Sequence, residues 1–257
     1  GRLEESVAAM RSALQVFDRL SAAGQGDDDN CKLLVQARTM LASSLLQLDQ
    51  TPEAKSVLDQ AIRSARNLIA QSPNMREYRD ALGNAEQMQY AVLRKLGERE
   101  QARELIQQAT DTFESLARDY PHFTEYKQKF SNSAIGLAIS YAEAGDQANA
   151  EPAFIKGVQM AWEIAQAFPS DVGFQIEAAG ATRMTGIFFQ NFRQLDKAEE
   201  YLLDAGRRLE NLVENAPNNP TLRLDLAKTA HALGTNFRAT GDLQNAIHWT
   251  RRAIKLE

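Results

Sequence analysis

A period of 48 residues is the feature that most constrains what this chain can fold into. Steps of 48 from Ala102 reach a small residue every time, at Ser6, Ala54, Ala150, Ala198 and Ala246. A second small column lies seven residues further on, at Ala13, Ala61, Ala109, Gly157, Ala205 and Ala253. Self-similarity at a fixed period predicts stacked repeats, because each repeat buries its apolar face against its neighbours.

Within each repeat, apolar residues recur at spacings of three and four, which predicts two helices per repeat. Prolines that end the second helix also lie 48 residues apart, at Pro73, Pro121, Pro169 and Pro217. A lone helix is predicted over residues 2–22. First helices are then predicted over 30–48, 75–96, 124–144, 172–192 and 220–240, and second helices over 52–71, 98–118, 147–168, 195–215 and 243–257.

These patterns predict one array over residues 1–257. Its units are a truncated repeat, 1–29, then the full repeats 30–75, 76–123, 124–171 and 172–219, and a last repeat, 220–257. The turn between the paired helices has glycine at Gly97, Gly145 and Gly241, whereas Asp49 and Arg193 occupy the same column. We expect strain or a different shape at those two turns, because a left-handed helix end favours glycine. Gly1 belongs to this column too, so we expect the chain to be part of a longer protein.

At these columns the chain resembles the tetratricopeptide repeat (TPR) family. The family's small, large, small pattern in the second helix is matched by sets such as Ala54, Leu58, Ala61 and Ala198, Leu202, Ala205. Its first-helix pattern is matched best by Leu137, Ala138, Tyr141 and by Leu233, Gly234, Phe237. The resemblance implies an all-α, right-handed solenoid of antiparallel helix pairs, with about eleven helices.

The repeat is longer than the family's usual one of about 34 residues. Segments 77–83 and 222–227 make this long variant similar to the arrays that follow the kinase domain in a group of bacterial serine/threonine protein kinases. The resemblance implies that the parent protein carries such a domain.

Charge and composition disfavour several classes of protein. The chain has 29 Lys and Arg against 34 Asp and Glu, a net charge of −5, which argues against nucleic acid as a partner. Cys31 is the only cysteine, and neither a leader peptide nor an apolar run long enough for a membrane span is found. We therefore expect a cytoplasmic location.

Residue types that carry chemistry are sparse. The three histidines, His122, His231 and His248, form no pair with metal-ligand spacing, and no phosphate-binding glycine loop is present. We predict no catalytic, cofactor-binding or metal-binding residues, and we expect this segment not to be an enzyme.

The TPR resemblance implies that a partner binds on the concave face, which the first helices line. Carried over by column, the predicted partner-binding residues are Gln36, Asn84, Arg94, Lys95, Asn132, Arg183, Asn191, Lys228, His231 and Arg238. Arg183, Lys228, His231 and Arg238 make the end of this face basic and favour an acidic partner. The alternative, that these four side chains are separate and solvated, stays open.

The predicted function is a non-catalytic scaffold that binds a protein, a peptide or another domain of its own chain. One alternative is a small-ligand sensor with a pocket lined by Met40, Met88, Ile135, Ile139 and Met184. Another is a structural spacer that self-associates, because no following repeat covers Ile247, Trp249 and Ile254.

Overall fold

The computed structural model describes residues 2–22 and 28–256, and this part of the chain contains eleven α-helices. Residues 23–27, which hold the turn predicted after the first helix, lie outside the described residues. The helices are α1 (Arg2–Ala22), α2 (Asp28–Gln47), α3 (Thr51–Gln71), α4 (Arg76–Leu96), α5 (Arg99–Asp119), α6 (Thr124–Glu143), α7 (Gln147–Ala167), α8 (Val172–Asn191), α9 (Leu195–Asn215), α10 (Pro220–Thr240) and α11 (Leu243–Leu256). The predicted helices are confirmed, with bounds that differ by two residues at most. None of the described helices is both long and apolar enough to cross a lipid bilayer.

The turns inside the helix pairs have a left-handed residue, as the sequence predicts. Gly97, Gly145 and Gly241 have φ angles of 80°, 77° and 87°. Asp49 and Arg193 have φ angles of 60° each, in a region that side chains with a Cβ rarely adopt. These two turns therefore keep the left-handed conformation of the glycine turns, although a side chain is present.

The small columns explain how the helices approach one another. Ala54, Ala102, Ala150 and Ala198 are fully buried, so each lets a neighbouring helix backbone come close. Large side chains such as Phe113 and Phe154 fill the space between the helices.

The chain divides into two compact units, Gly1–Ser133 and Ala134–Glu257, whose boundary falls inside α6. In the first unit, one hydrophobic cluster is built on α1 to α4, with Leu41, Leu58 and Tyr78 among its buried side chains. In the second unit, one cluster contains Phe154, Phe188 and Phe189, and smaller clusters join α8, α9, α10 and α11. On α11, Ile247 and Ile254 are exposed, while Trp249 is half-buried beside Gly206.

Candidate functional site

A groove of about 620 Å³ lies between α2 and α4 in the first unit, and we call it the α2/α4 groove. Residues three and four apart share one face of a helix, so each helix contributes a short stripe to the lining. The lining residues are Gln36, Thr39 and Met40 on α2, and Ala81, Asn84, Gln87, Met88 and Ala91 on α4.

Methionine and amide side chains give the α2/α4 groove its chemistry. Met40 is 65% exposed, and Met88 is half-buried in the opposite wall. The small side chains of Ala81 and Ala91 keep the lining open between them. Gln36, Asn84 and Gln87 supply groups that both donate and accept hydrogen bonds.

A partly buried ion pair holds the amide of Asn84 in place. Asn84 Nδ2 donates to Asp80 Oδ2 at 3.1 Å, and Lys129 Nζ lies 2.6 Å from Asp80 Oδ1. Burial raises the pKa of Asp80, while the hydrogen bond from Lys129 acts in the opposite direction. Asp80 therefore orients the polar side of the groove.

Two predicted partner-binding cations lie at the carboxyl end of α4. Lys95 Nζ is 2.6 Å from Asp49 Oδ1, and this contact lowers the pKa of Asp49. The guanidinium of Arg94 lies 5.6 Å from the ring centroid of Tyr90, one turn earlier on the same helix. Lys95 thus links the end of α4 to the strained turn after α2.

The predicted basic cluster is partly neutralised within the second unit. Arg183 Nη2 and Lys228 Nζ lie 3.5 Å and 3.8 Å from the same oxygen, Asp225 Oδ1. Burial lowers the pKa of Arg183, although the charge of Asp225 opposes that change. His231 and Arg238 are exposed further along α10. Two of the four predicted cations therefore have a carboxylate of their own chain as a partner.

The remaining predicted residues lie apart from these clusters. Asn132 on α6 and Asn191 at the end of α8 are both exposed. Among the residues proposed for a small-ligand pocket, Met40 and Met88 line the α2/α4 groove. By contrast, Ile135, Ile139 and Met184 pack in or against the core of the second unit.

Sequence reasoning missed a buried carboxyl group in the first unit. Glu86 on α4 is 2% exposed; Arg66 Nη2 donates to its Oε1 at 3.1 Å, and its Oε2 has no hydrogen-bond partner in the described part of the chain. Burial raises the pKa of Glu86 to about 7, against the opposing effect of Arg66. The signal was present in the sequence, because Glu86 occupies a core column in which Ala134 and Ala230 are small and apolar.

The described residues contain no cluster of metal-binding side chains. No three His, Cys, Asp or Glu side chains within residues 2–22 and 28–256 are grouped as ligands for a metal ion. The α2/α4 groove has amides and thioethers but no nucleophile paired with a base. Its arrangement suits reversible binding.

Comparison with known proteins bears on the fold. No protein-family model matches the chain, and no curated protein sequence matches it. Among solved structures, BtubC (BKLC) from P. vanneervenii is similar with a TM-score of 0.74 and 19% identity, over 100% of this chain and 91% of that one. The S. pombe nuclear import adaptor Nro1 matches with a TM-score of 0.66 and 15% identity, over 98% and 86%.

A third similar structure names the repeat type. It is a putative kinesin light chain from Podosopora anserina with nearly identical TPR-like repeats, with a TM-score of 0.58 and 17% identity, over 86% of this chain and 94% of that one. The fold is TPR-like. The predicted all-α helical-repeat solenoid is thus confirmed as the fold class of this chain. At these identities, the TPR-like likeness describes the fold alone.

Proposed function

We propose that this TPR-like chain is a non-catalytic binding module, which holds an extended segment of another protein, or of its own parent chain, in the α2/α4 groove. The observation that carries the proposal is the exposure of Met40 beside three amide side chains. Methionine adapts its shape to different apolar partners, and the amides can pair with the backbone of a bound segment.

The groove favours a peptide-like partner for a physical reason. An extended chain presents apolar side chains together with N–H and C=O groups, and both kinds of group need partners on binding. Met40 and Met88 provide the apolar contact, while Gln36, Asn84 and Gln87 provide the polar one. Because Asp80 anchors Asn84, part of the polar wall is ordered before binding, which lowers the entropy cost.

The other predicted partner-binding residues extend this proposal. Arg94 and Lys95 would contact the bound segment beyond the groove, and Asn132 and Asn191 would do so on α6 and α8. On α10, exposed His231 and Arg238 would attract acidic groups, with Lys228 partly exposed beside them. Arg183 would act indirectly, by fixing Asp225.

We also propose that the parent protein of this module carries a serine/threonine kinase domain. It rests on the sequence resemblance of the long repeat to the arrays in bacterial kinases. In that case the module would recruit substrates to the kinase or regulate it. The complete reading frame tests this directly, because a parent protein without a kinase domain contradicts it.

A matched pair of methionines tests the binding proposal. Peptides selected from a random library against the chain are expected to lose at least about tenfold in affinity on Met40→Glu, since a charge then enters an apolar contact. Met75→Glu is the control, because Met75 is also exposed, at 43%, but lies outside the α2/α4 groove. Equal affinity in the wild type and both variants would refute the groove as the binding site.

Self-association through α11 is a second candidate, favoured by the exposure of Ile247 and Ile254, at 52% and 67%. Light scattering over a range of concentrations tests it. A concentration-dependent mass that Ile254→Lys abolishes supports it, and a constant monomer mass rejects it.

A further inference from the structure

A second groove, of about 680 Å³, lies in the second unit between α7, α8 and α9. We call it the Trp162 groove, since Trp162 of α7 stands in its wall above Thr182 of α8. Its helices differ from those of the α2/α4 groove, so binding at one groove is independent of binding at the other.

The indole of Trp162 is held in a fixed orientation. Its Nε1 donates to Thr182 Oγ1 at 3.0 Å, and the hydroxyl of Thr182 donates to the carbonyl of Ala178 at 2.8 Å. Thr182 is 2% exposed, so this anchor is rigid. The ring is already covered by one cation: the guanidinium carbon of Arg208 lies 4.0 Å from its centroid.

Negative charge dominates the lining of the Trp162 groove. Glu163, Glu200 and Asp204 contribute three carboxylates against the single guanidinium of Arg208, so three negative charges and one positive charge leave −2. Besides the ring, Arg208 contacts Asp204, at 2.9 Å and one helical turn away, and its side chain is 48% exposed. Such an exposed pair is weak, so Arg208 can leave the ring at low cost.

The first unit contains positions equivalent to those that line the Trp162 groove. Two periods of 48 residues earlier, Arg66, Glu86 and Gln108 occupy the positions of Trp162, Thr182 and Asp204. There the guanidinium of Arg66 lies between two acceptors, 3.1 Å from Glu86 Oε1 and 2.8 Å from Gln108 Oε1. The first unit thus places its own arginine between its helices, whereas the second unit has an aromatic ring, a hydroxyl group and one carboxylate at the equivalent positions.

We propose that the Trp162 groove binds an arginine side chain from a basic peptide segment, which replaces Arg208 on the face of Trp162. The planar guanidinium stacks on the indole, as that of Arg208 does, and its N–H groups pair with Glu200 and Asp204. Arginine is preferred over lysine, because an ammonium group neither stacks nor forms a forked pair with a carboxylate. The charge of the groove selects a basic segment and repels an acidic one.

Tryptophan fluorescence can test this proposal directly, because the chain has two tryptophans and one of them can be replaced. In a Trp249→Phe background, Trp162 is the only tryptophan, and it is excited at a wavelength that the tyrosines do not absorb. The probe is an end-blocked tetra-arginine peptide at low ionic strength. We expect a saturable change in fluorescence, and binding at least about threefold weaker for tetra-lysine. No saturable change, or equal affinity for the two peptides, would overturn the proposal.

Two matched pairs of variants separate a specific site from general charge attraction. Arg208→Ala removes the cation that competes for Trp162 and is expected to tighten binding by about two- to fivefold. Arg207→Ala is its control, because Arg207 is an exposed neighbour outside the lining of the groove. This variant removes the same charge and is expected not to tighten binding in this way. Glu200→Gln is expected to weaken binding by about two- to fivefold, and Glu199→Gln, outside the lining, is not.

Calorimetry on the otherwise unmodified chain repeats the measurement without the Trp249→Phe change. Equal effects within each pair would mean that only net charge matters, and the proposed site would be wrong.

Discussion

The side chain of Leu202 occupies the space that a Cβ atom on Gly186 would need. Such a Cβ would lie 2.7 Å from Leu202 Cγ and 3.3 Å from the carbonyl oxygen of Ala198. Leu202 is fully buried and one of the contacts is backbone, so neither neighbour can move aside easily. The close approach of α8 and α9 therefore depends on this glycine.

Gly186→Ala should lower the free energy of unfolding by about 1–3 kcal/mol, the usual cost of overpacking a core. Gly180 on the same helix is the control, since a Cβ there would meet nothing within 4 Å. Gly180→Ala should stabilise the protein by about 0.5–1 kcal/mol through helix propensity. Denaturant unfolding of both variants checks the prediction, and equal shifts in one direction would contradict the packing described for α8 and α9.

Stability should depend on pH through Glu86. Folding raises the pKa of Glu86 from 4.5 to about 7, so the folded state holds the proton more tightly than the unfolded state does. The resulting stabilisation is fully present below pH 4.5 and is lost as the pH rises to about 7. Its size is about 3 kcal/mol, at about 1.4 kcal/mol per pKa unit.

Glu86→Gln isolates this effect because it keeps the shape of the side chain and removes its ionisation. The variant should unfold like the wild type near pH 4.5 and should be more stable above pH 7.5. Chemical denaturation across this range provides the comparison. If the two stability curves run parallel, Glu86 does not titrate between these values.

Replacement of Arg193 by glycine should stabilise the protein. At a φ of 60°, a residue with a Cβ costs about 1 kcal/mol, whereas glycine pays only in unfolded-state entropy. We expect Arg193→Gly to raise the free energy of unfolding by about 0.5 kcal/mol. The reverse change, Gly97→Ala at a φ of 80°, should lower it by about 1 kcal/mol. Thermal melting of the two variants should therefore shift in opposite directions.

Loss of Asp225 should destabilise the second unit. The side chains of Arg183 and Asp225 are only 16% and 14% exposed, so Asp225→Asn leaves a mostly buried guanidinium without its counter-charge. We expect a loss of about 2–3 kcal/mol in the free energy of unfolding. The double variant Arg183→Met, Asp225→Asn should recover most of it, and a double variant as unstable as Asp225→Asn alone would show that the charge is not the cause.

The 48-residue period predicts the helices, the small columns and the two strained turns, because local geometry dictates each of them. The period does not predict which polar groups meet across repeats. Asp225 is an ordinary acidic residue in the sequence, yet it lies between Arg183 and Lys228 in the structure. Glu86 stands out in a core column, but its link to Arg66 depends on the packing of α3 against α4. Long-range pairs of this kind depend on side-chain reach rather than on periodicity.

Arg66 and Trp162 occupy the same position in two different repeats, and this correspondence indicates how a repeat array can gain a binding site during evolution. Helix packing depends on columns such as that of Ala102 and Ala198, which are fully buried. Recognition at the groove depends on a different column, where an arginine in one repeat corresponds to an indole in another. The two columns do not overlap. A single substitution can therefore replace a side chain that is paired within its own chain by one that can contact a ligand. The residues that pack the helices stay unchanged. Duplication of a repeat thus supplies spare positions at which new specificity can arise.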